Sequence, residues 1–267
     1  MSLQHETSPG MVPNASTPEG ARVRQDFIAA MLEIVGDSRL FWLPKTTDTT
    51  TSVSVDKLAD VLTHNATIAA RITSLGSGAQ VDFDGDDDEA DTPDSDDHSF
   101  GDGVVDEPFS LLWVGTPDTD VSAQTLISKL NDATTEEYEL HLTATNGFPT
   151  LDIWDASASA AIGRSHDVDI GTSLVFIAAT YNGNGSVSGI NLYKNAALVD
   201  DGVGGTTGTY VAMENTASLV RLGTRFTTNE RFYNGKMALA IITAKALSHN
   251  EIWSAKTLIN SFLNASL

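Results

Sequence analysis

Acidic side chains are concentrated in one stretch of the chain that contains no lysine or arginine. Between Asp82 and Glu107 there are eleven Asp and two Glu, and these dominate the net charge of −21. Carboxylate oxygens are the ligands that Ca²⁺ prefers. Four carboxylates at the end of a predicted strand are the candidate ligands: Asp84, Asp86, Asp87 and Asp91. Their spacing differs from that of an EF-hand loop, and unneutralised carboxylates repel one another. A Ca²⁺ site and a solvated acidic loop therefore stand as two alternatives.

Hydrolysis of a glycosidic bond would require two carboxylates that reach the same bond. The nearest candidates are the segments Glu136–Glu139 and Asp152–Asp155. Residues three apart in a strand point to opposite faces, so Asp152 and Asp155 cannot act together. The sequence also lacks H-E-x-x-H, G-x-S-x-G and P-loop motifs. We therefore expect a protein that is not an enzyme.

Neither the histidines nor the aromatic residues define a ligand site by their spacing. The six histidines are scattered and no pair has metal-ligand spacing: His5, His64, His98, His141, His166 and His249. Five aromatic residues could stack on sugar rings if they line an exposed face, or could pack in the core: Trp113, Phe148, Trp154, Tyr181 and Tyr193. The sequence leaves both alternatives open, and the ligand-binding residues unknown.

The elements that would position these side chains are short strands. From Arg39 onward, short apolar or alternating runs are separated by Gly, Asn, Asp and Thr, a pattern typical of a β-sandwich or barrel. The predicted strands are Leu40–Trp42, Val81–Phe83, Phe109–Val114, Leu126–Leu130, Tyr138–Thr143, Leu151–Trp154, Leu174–Thr180, Ile190–Lys194, Leu219–Leu222 and Met237–Thr243. Alternation over Tyr138–Leu142 predicts one buried face and one facing solvent or ligand. Leu174–Ala179 is apolar on both faces, which predicts a central strand covered on both sides.

Helices are predicted at both ends of the chain. Residues 1–20 contain three prolines and are predicted to form a flexible arm, and residues 21–37 an amphipathic helix that ends near Gly36. This helix could pack on its own domain or dock on a neighbouring subunit. Ser248 and Glu251 form a capping-box pattern before a short C-terminal helix. The predicted domain covers residues 38–267.

Composition excludes several classes of protein. The absence of cysteine excludes disulfides and thiolate metal sites. We find no apolar signal sequence and no apolar run long enough for a membrane helix, so we expect no membrane insertion. The acidic charge disfavours binding to nucleic acid, because phosphate backbones are repelled.

The order of several motifs resembles the laminin-G-like (pentraxin-type) jelly rolls of the concanavalin A-like lectin/glucanase superfamily. Phe83-Asp84-Gly85 with the following Asp pair and Pro93-Asp94-Ser95 resembles "FDG-x-DD … PDS". The later matches are Phe109-Ser110-Leu111 with Trp113-Val114 ("FSISFWV"), Leu126-Ile127-Ser128-Lys129 ("LVSK"), Tyr138–Leu142 ("YxLyL"), Thr180-Tyr181-Asn182-Gly183 ("TYDG"), Ile190–Asn195 ("lYvNG"), Leu222-Gly223 ("IGG") and Lys245–Ile252 ("raLSxeEI"). They run in the family's order from about Leu40 to the C-terminus.

This resemblance implies an all-β protein: a two-sheet antiparallel jelly-roll β-sandwich with an N-terminal helix and a short C-terminal helix. Such domains occur in viral surface, capsid decoration and tail-fibre proteins, and some members bind Ca²⁺ at the strand end. Related glucanases carry an E-x-D-x-(x)-E pattern on one strand, which this sequence lacks.

Three functions follow as hypotheses. The first is a non-enzymatic virion surface component, a homo-oligomer that contacts other virion proteins through the N-terminal arm. The second is a carbohydrate-binding module, possible in combination with the first if the chain attaches to a host glycan. The third is glycoside hydrolysis, which only the resemblance supports.

Overall fold

Two antiparallel sheets and two helices make up the structure, a computed structural model. It describes residues 18–49, 51–53, 61–64, 71–118, 122–198, 204–225 and 231–267. The helices are α1 (Pro18–Val35) and α2 (His249–Leu263). The strands are β1 (Ser38–Trp42), β2 (Thr51–Val53), β3 (Val61–His64), β4 (Ile72–Leu75), β5 (Gly78–Asp84), β6 (Ala90–Thr92), β7 (Phe109–Pro117), β8 (Gln124–Lys129), β9 (Tyr138–Leu142), β10 (Pro149–Asp155), β11 (Ala160–Ser165), β12 (Val175–Tyr181), β13 (Ile190–Lys194), β14 (Ala197–Leu198), β15 (Gly204–Thr207), β16 (Val220–Leu222) and β17 (Asn234–Thr243).

The strands form an eight-stranded and a nine-stranded sheet. The first has the order β14-β13-β12-β7-β17-β5-β4, with β1 also paired to β17. The second has the order β15-β11-β10-β9-β8-β16-β6-β3-β2. The described ladders are antiparallel, and the predicted two-sheet β-sandwich with a helix at each end is confirmed.

Apolar side chains form one core between the sheets and a second core beneath the helices. Strand β12 serves both: Ile177 packs in the core of the sandwich, while Phe176 and Ala178 face the helices. The prediction of a central strand covered on both sides is therefore confirmed. Its cause is the two-residue period of a strand, which sends consecutive side chains to opposite faces.

Helix α1 packs on its own domain, which decides between the two alternatives that the sequence left open. Phe27, Met31 and Val35 are buried in the second core, and the ring of Phe27 stacks on that of Phe262 in α2 with centroids 4.2 Å apart. The helix begins at Pro18, three residues before its predicted start, because proline suits the first helical turn. It ends before Gly36, whose φ of +69° breaks the helix. Residues 1–17 of the predicted arm lie outside the described residues.

The capping box predicted for α2 is present. The Ser248 hydroxyl accepts the backbone N–H of Glu251, and the Glu251 carboxylate accepts that of Ser248. The Lys245 ammonium donates to the Ile34 carbonyl at the end of α1 and pairs with Glu251, which joins the two helices. In the part of the chain that is described, no helix has an apolar stretch suited to crossing a bilayer.

Seven strands were missing from the sequence prediction: β2, β3, β4, β6, β11, β14 and β15. They are short or rich in glycine, threonine and other polar residues, and therefore give no clear apolar alternation. Strand β15, for example, is Gly204-Gly205-Thr206-Thr207 and is exposed throughout. Such a segment becomes a strand because a neighbouring edge, here that of β11, offers backbone partners.

Candidate functional site

The outward side of the nine-stranded sheet carries a continuous row of polar residues and glycines. Residues directly opposite each other on paired strands share a face, so cross-strand pairs can be followed from one sheet edge to the other. The row runs from β2 to β15 as Thr51, Thr63, Asp91, Arg221, Ser128, Glu139, Asp152, Gly163 and Gly205. We call this surface, with the adjacent His141 and Trp154, the polar face.

Strand β9 shows how the sequence produces the polar face. Tyr138 and Leu140 pack in the core of the sandwich, whereas Glu139 and His141 point outward, as the alternation predicts. The outward face of this strand was predicted to meet solvent or ligand, but the side chain of Glu139 has no exposed area. Arginine side chains from a distant part of the chain cover this carboxylate.

The Glu139 carboxylate is neutralised from several sides. It accepts a hydrogen bond of 2.5 Å from the Thr125 hydroxyl and lies 3.1 Å from the Arg231 guanidinium. The Arg225 guanidinium contacts both Glu139, at 3.4 Å, and Glu136, at 2.9 Å. Burial raises the pKa of Glu136, although Arg225 opposes that shift. The result is a closed network of two cations and two carboxylates.

Asp152 is a partly exposed carboxylate of the polar face, and the ring of His141 beside it is buried. The Asp152 carboxylate lies 3.0 Å from His141 Nε2 and keeps 30% of its side-chain area exposed. Its Oδ1 atom lies only 2.0 Å from the position that a Cβ atom on Gly163 would occupy. Glycine at position 163 therefore gives Asp152 the space for its carboxylate.

Replacement of Gly163 by alanine is expected to destabilise the fold by about 1–3 kcal/mol, because the new methyl group would overlap Asp152. The matched control is Gly205→Ala, since nothing lies within 4 Å of a Cβ at that position of the neighbouring strand. Urea unfolding of both variants measures the difference. Equal stability of the two variants would contradict the close approach of Asp152 to Gly163.

Trp154 is the aromatic residue of the polar face. It lies two residues after Asp152 on β10, is partly exposed, and stands opposite the small Ala161 of β11. The Arg225 guanidinium lies over its ring at 5.5 Å from the centroid. Of the other aromatic candidates, Phe148 is partly exposed, whereas three are buried: Trp113, Tyr181 and Tyr193. Core packing is thus the outcome for those three.

The acidic stretch is split between two places. At the end of β5, ligand atoms of Asp84, Asp87 and Asp88 lie within 4.8 Å of one another. The Arg71 guanidinium pairs with Asp84, at 3.0 Å, and with Asp88. Burial raises the pKa of Asp88. The structure therefore places a protein cation at this group of carboxylates.

The four predicted Ca²⁺ ligands do not all share this turn. The backbone N–H groups of Asp86 and Asp87 donate to Asp84 Oδ1, so these three residues lie in one tight turn. Asp91, by contrast, belongs to the polar row and stands opposite Arg221, and burial raises the pKa of its carboxyl. Asp88, which was not among the predicted ligands, groups with Asp84 and Asp87 instead.

Two neighbouring strands bring a pair of carboxylates together on one face, which no pattern along a single strand indicates. Glu139 and Asp152 stand opposite each other on β9 and β10, and their oxygens lie within 4.8 Å of the His141 ring nitrogen. A hydrolase needs both carboxylates accessible to the sugar, whereas the side chain of Glu139 is fully buried. The Arg225 and Arg231 guanidinium groups both contact the Glu139 carboxylate.

Comparison with known proteins now places the chain in a family. A family model described as Concanavalin A-like lectin/glucanases superfamily, Laminin_G_3, matches residues 84–253. The chain belongs to this superfamily. The match covers the acidic turn of Asp84, Asp86 and Asp87 and the polar face except for Thr51 and Thr63, and it confirms the resemblance seen in the order of motifs. No curated protein sequence matches the chain.

Solved structures share the fold at low sequence identity. A structure of botulinum neurotoxin type C, whose cell entry depends upon interaction with two ganglioside molecules, is 15% identical with a TM-score of 0.60, over 85% of this chain and 53% of that chain. The ligand binding domain of botulinum neurotoxin serotype D in complex with N-acetylneuraminic acid is 13% identical with a TM-score of 0.56, over 85% of this chain and 52% of that chain. Domain 4 of AbnA, an arabinanase from Geobacillus stearothermophilus, in complex with arabinotriose is 13% identical with a TM-score of 0.51, over 82% of this chain and 98% of that chain. The present chain thus covers about half of the length of each of these neurotoxin chains.

Proposed function

We propose that the protein is a non-enzymatic carbohydrate-binding module and that the polar face is its binding surface. The observation that carries this proposal is the partly exposed Asp152 carboxylate beside Trp154, which stands opposite the small residue Ala161. Sugar hydroxyl groups donate to carboxylates, and the apolar side of a sugar ring packs on an aromatic ring. The small side chain of Ala161 leaves room for a ring to approach Trp154.

The distribution of the helices supports the choice of surface. Helices α1 and α2 cover the outer side of the eight-stranded sheet, where their apolar side chains form the second core. The polar face lies on the opposite side of the sandwich. The similar structures belong to proteins that interact with gangliosides, N-acetylneuraminic acid or arabinotriose, which supports a sugar as the class of ligand.

The Trp154→Ala variant is expected to bind glycans about tenfold more weakly than the natural chain, because it loses the aromatic contact. A glycan array followed by calorimetric titration of the best binders measures this change. The control is Trp253→Ala, which removes a 55% exposed tryptophan from α2 on the other side of the sandwich. Binding that is absent for the natural chain, or equal in the two variants, would contradict the proposal.

Binding of Ca²⁺ at the turn of Asp84, Asp86 and Asp87 stays a prediction, and we propose that it competes with Arg71. The Arg71 guanidinium pairs with Asp84 and Asp88, so an incoming cation must displace it. The Arg71→Gln variant is therefore expected to bind Ca²⁺ roughly tenfold more tightly than the natural chain. Calorimetric titration with CaCl₂ tests this, and absence of binding to both chains would disprove it.

The role as a homo-oligomeric virion surface component also stays a prediction. Helix α1 uses its apolar side for packing within its own domain. Residues 1–17 are then the part of the proposed anchor that would have to contact a neighbouring subunit or another virion protein. Attachment to a host glycan through the polar face is compatible with this role.

A further inference from the structure

Carboxylates outnumber guanidinium groups around the polar face. Among the described residues, three arginines lie on or over it: Arg221, Arg225 and Arg231. Five carboxylates surround them: Glu89, Asp91, Glu136, Glu139 and Asp152. A ligand that approaches this surface therefore meets an excess of negative charge.

Each of these arginines is already engaged by an acidic partner of the protein. Arg225 pairs with Glu136 and Glu139, and Arg231 with Glu139. Arg221 lies 3.5 Å from Glu89 and donates to the Leu130 carbonyl at 2.7 Å. An anionic ligand would have to compete with carboxylates that are fixed in the fold and partly or fully buried. Such pre-formed pairs offer little attraction to a further carboxylate.

Asp152 is a partly exposed carboxylate of the polar face, and the Arg231 guanidinium is exposed to a similar extent, at 29%, but is already paired with Glu139. Asp152 exposes 30% of its side chain, whereas Glu139 exposes none and Glu136 exposes 13%. A carboxylate accepts hydrogen bonds from neutral sugar hydroxyls but repels the carboxylate of a sialic acid. The exposed chemistry therefore matches an uncharged ring better than an acidic one.

The overall charge of the chain is a second factor. The chain as a whole carries a net charge of −21. Long-range repulsion acts in the same direction as the local arrangement and is screened by salt.

We infer that the polar face selects uncharged oligosaccharides and rejects sialylated ones, an inference that rests on the proposed function. It separates this chain from the similar structure that holds N-acetylneuraminic acid and aligns it with the one that holds arabinotriose. Selectivity here comes from the charge of the surface, because the fold is common to both.

The test compares pairs of glycans that differ only in a terminal N-acetylneuraminic acid, with arabinotriose as an additional neutral probe. Calorimetric titration of the full chain is expected to show at least tenfold weaker binding of each sialylated partner at about 50 mM salt. The ratio should decrease at about 500 mM salt, where charges are screened. Asp152→Asn should also decrease the ratio, whereas Glu33→Gln on the exposed side of α1 should leave it unchanged.

The outcomes separate this inference from the proposed function. Equal or tighter binding of the sialylated glycans, with Trp154→Ala still impairing binding, would overturn the charge selectivity and leave the carbohydrate-binding proposal standing. Failure to bind any glycan would overturn the proposed function and the inference with it. If the Asp152→Asn variant keeps a tenfold preference for neutral over sialylated glycans, the selectivity belongs to other residues, and the role of the polar face is contradicted.

Discussion

Replacement of Lys129 by methionine is expected to lower the free energy of unfolding by about 3–5 kcal/mol. The Lys129 ammonium is fully buried and lies 2.7 Å from the equally buried Glu137 carboxylate. It also contacts Asp94 and the Thr216 carbonyl, each at 2.9 Å. Burial already raises the pKa of Glu137, and Lys129 is the main group that opposes this shift. Without Lys129, a buried carboxylate loses its counter-charge.

The double variant Lys129→Met/Glu137→Gln shows how much of the lost stability comes from the unpaired charge of Glu137 and how much from removal of the lysine itself. Glutamine keeps an oxygen that can accept the backbone N–H and hydroxyl of Thr216, as Glu137 does. The double variant should therefore be more stable than Lys129→Met alone. An exposed lysine serves as a control, and Lys45→Met should change stability by less than about 0.5 kcal/mol. Urea unfolding measures the stability of all three variants. A loss of stability for Lys129→Met as small as that for Lys45→Met would contradict the importance of the pair.

Acidification from pH 7 to pH 4.5 is expected to cost about 2 kcal/mol of stability for each of two buried histidines. Burial lowers the pKa of His64 and of His166 from 6.5 to about 4. His166 also accepts the Val168 backbone N–H at Nδ1, at 2.9 Å, so protonation of that nitrogen would break the bond. The unfolded chain binds protons below pH 6.5 and the folded chain only near pH 4. Stability is therefore complete above pH 6.5 and falls as the pH decreases towards 4.

The variant His166→Asn isolates this contribution, because its side-chain oxygen can accept the Val168 N–H without titrating. Its loss of stability between pH 7 and pH 4.5 should be smaller than that of the natural chain by about 2 kcal/mol. His249→Gln, which changes an exposed histidine at the start of α2, should follow the natural chain. Unfolding measured over this pH range, with NMR titration of the histidine rings, provides the comparison. A proton uptake of His166 near pH 6.5 would disprove the assignment.

Local sequence patterns were sufficient wherever the interaction was itself local. The alternation of Tyr138–Leu142 predicted which side chains of β9 enter the core, and Ser248 with Glu251 predicted the start of α2. Both depend on residues within a few positions of each other. The order of motifs along the chain was enough to predict the superfamily and the two-sheet sandwich.

The sequence indicated the acidic residues of the candidate site but not which residues contact one another. Glu139 and Asp152 appeared as two separate acidic segments, because nothing in either segment specifies the register between β9 and β10. Arg225 and Arg231 are far along the chain from Glu139, so no local pattern connects them to it. Likewise, Arg71 is the partner of the acidic turn, although it stands before the stretch that lacks cations.

The sequence by itself determined the strand faces, the C-terminal helix with its cap, the acidic turn and the family. These follow from periodicities of two and 3.6 residues and from side chains that reach only their near neighbours. Tertiary structure alone decided that Asp152 lies over Gly163 beside Trp154, and that arginines bury Glu139. The physical reason is that strand register and loop placement are set by contacts between residues distant in sequence. The local sequence around one partner of such a contact does not identify the other partner.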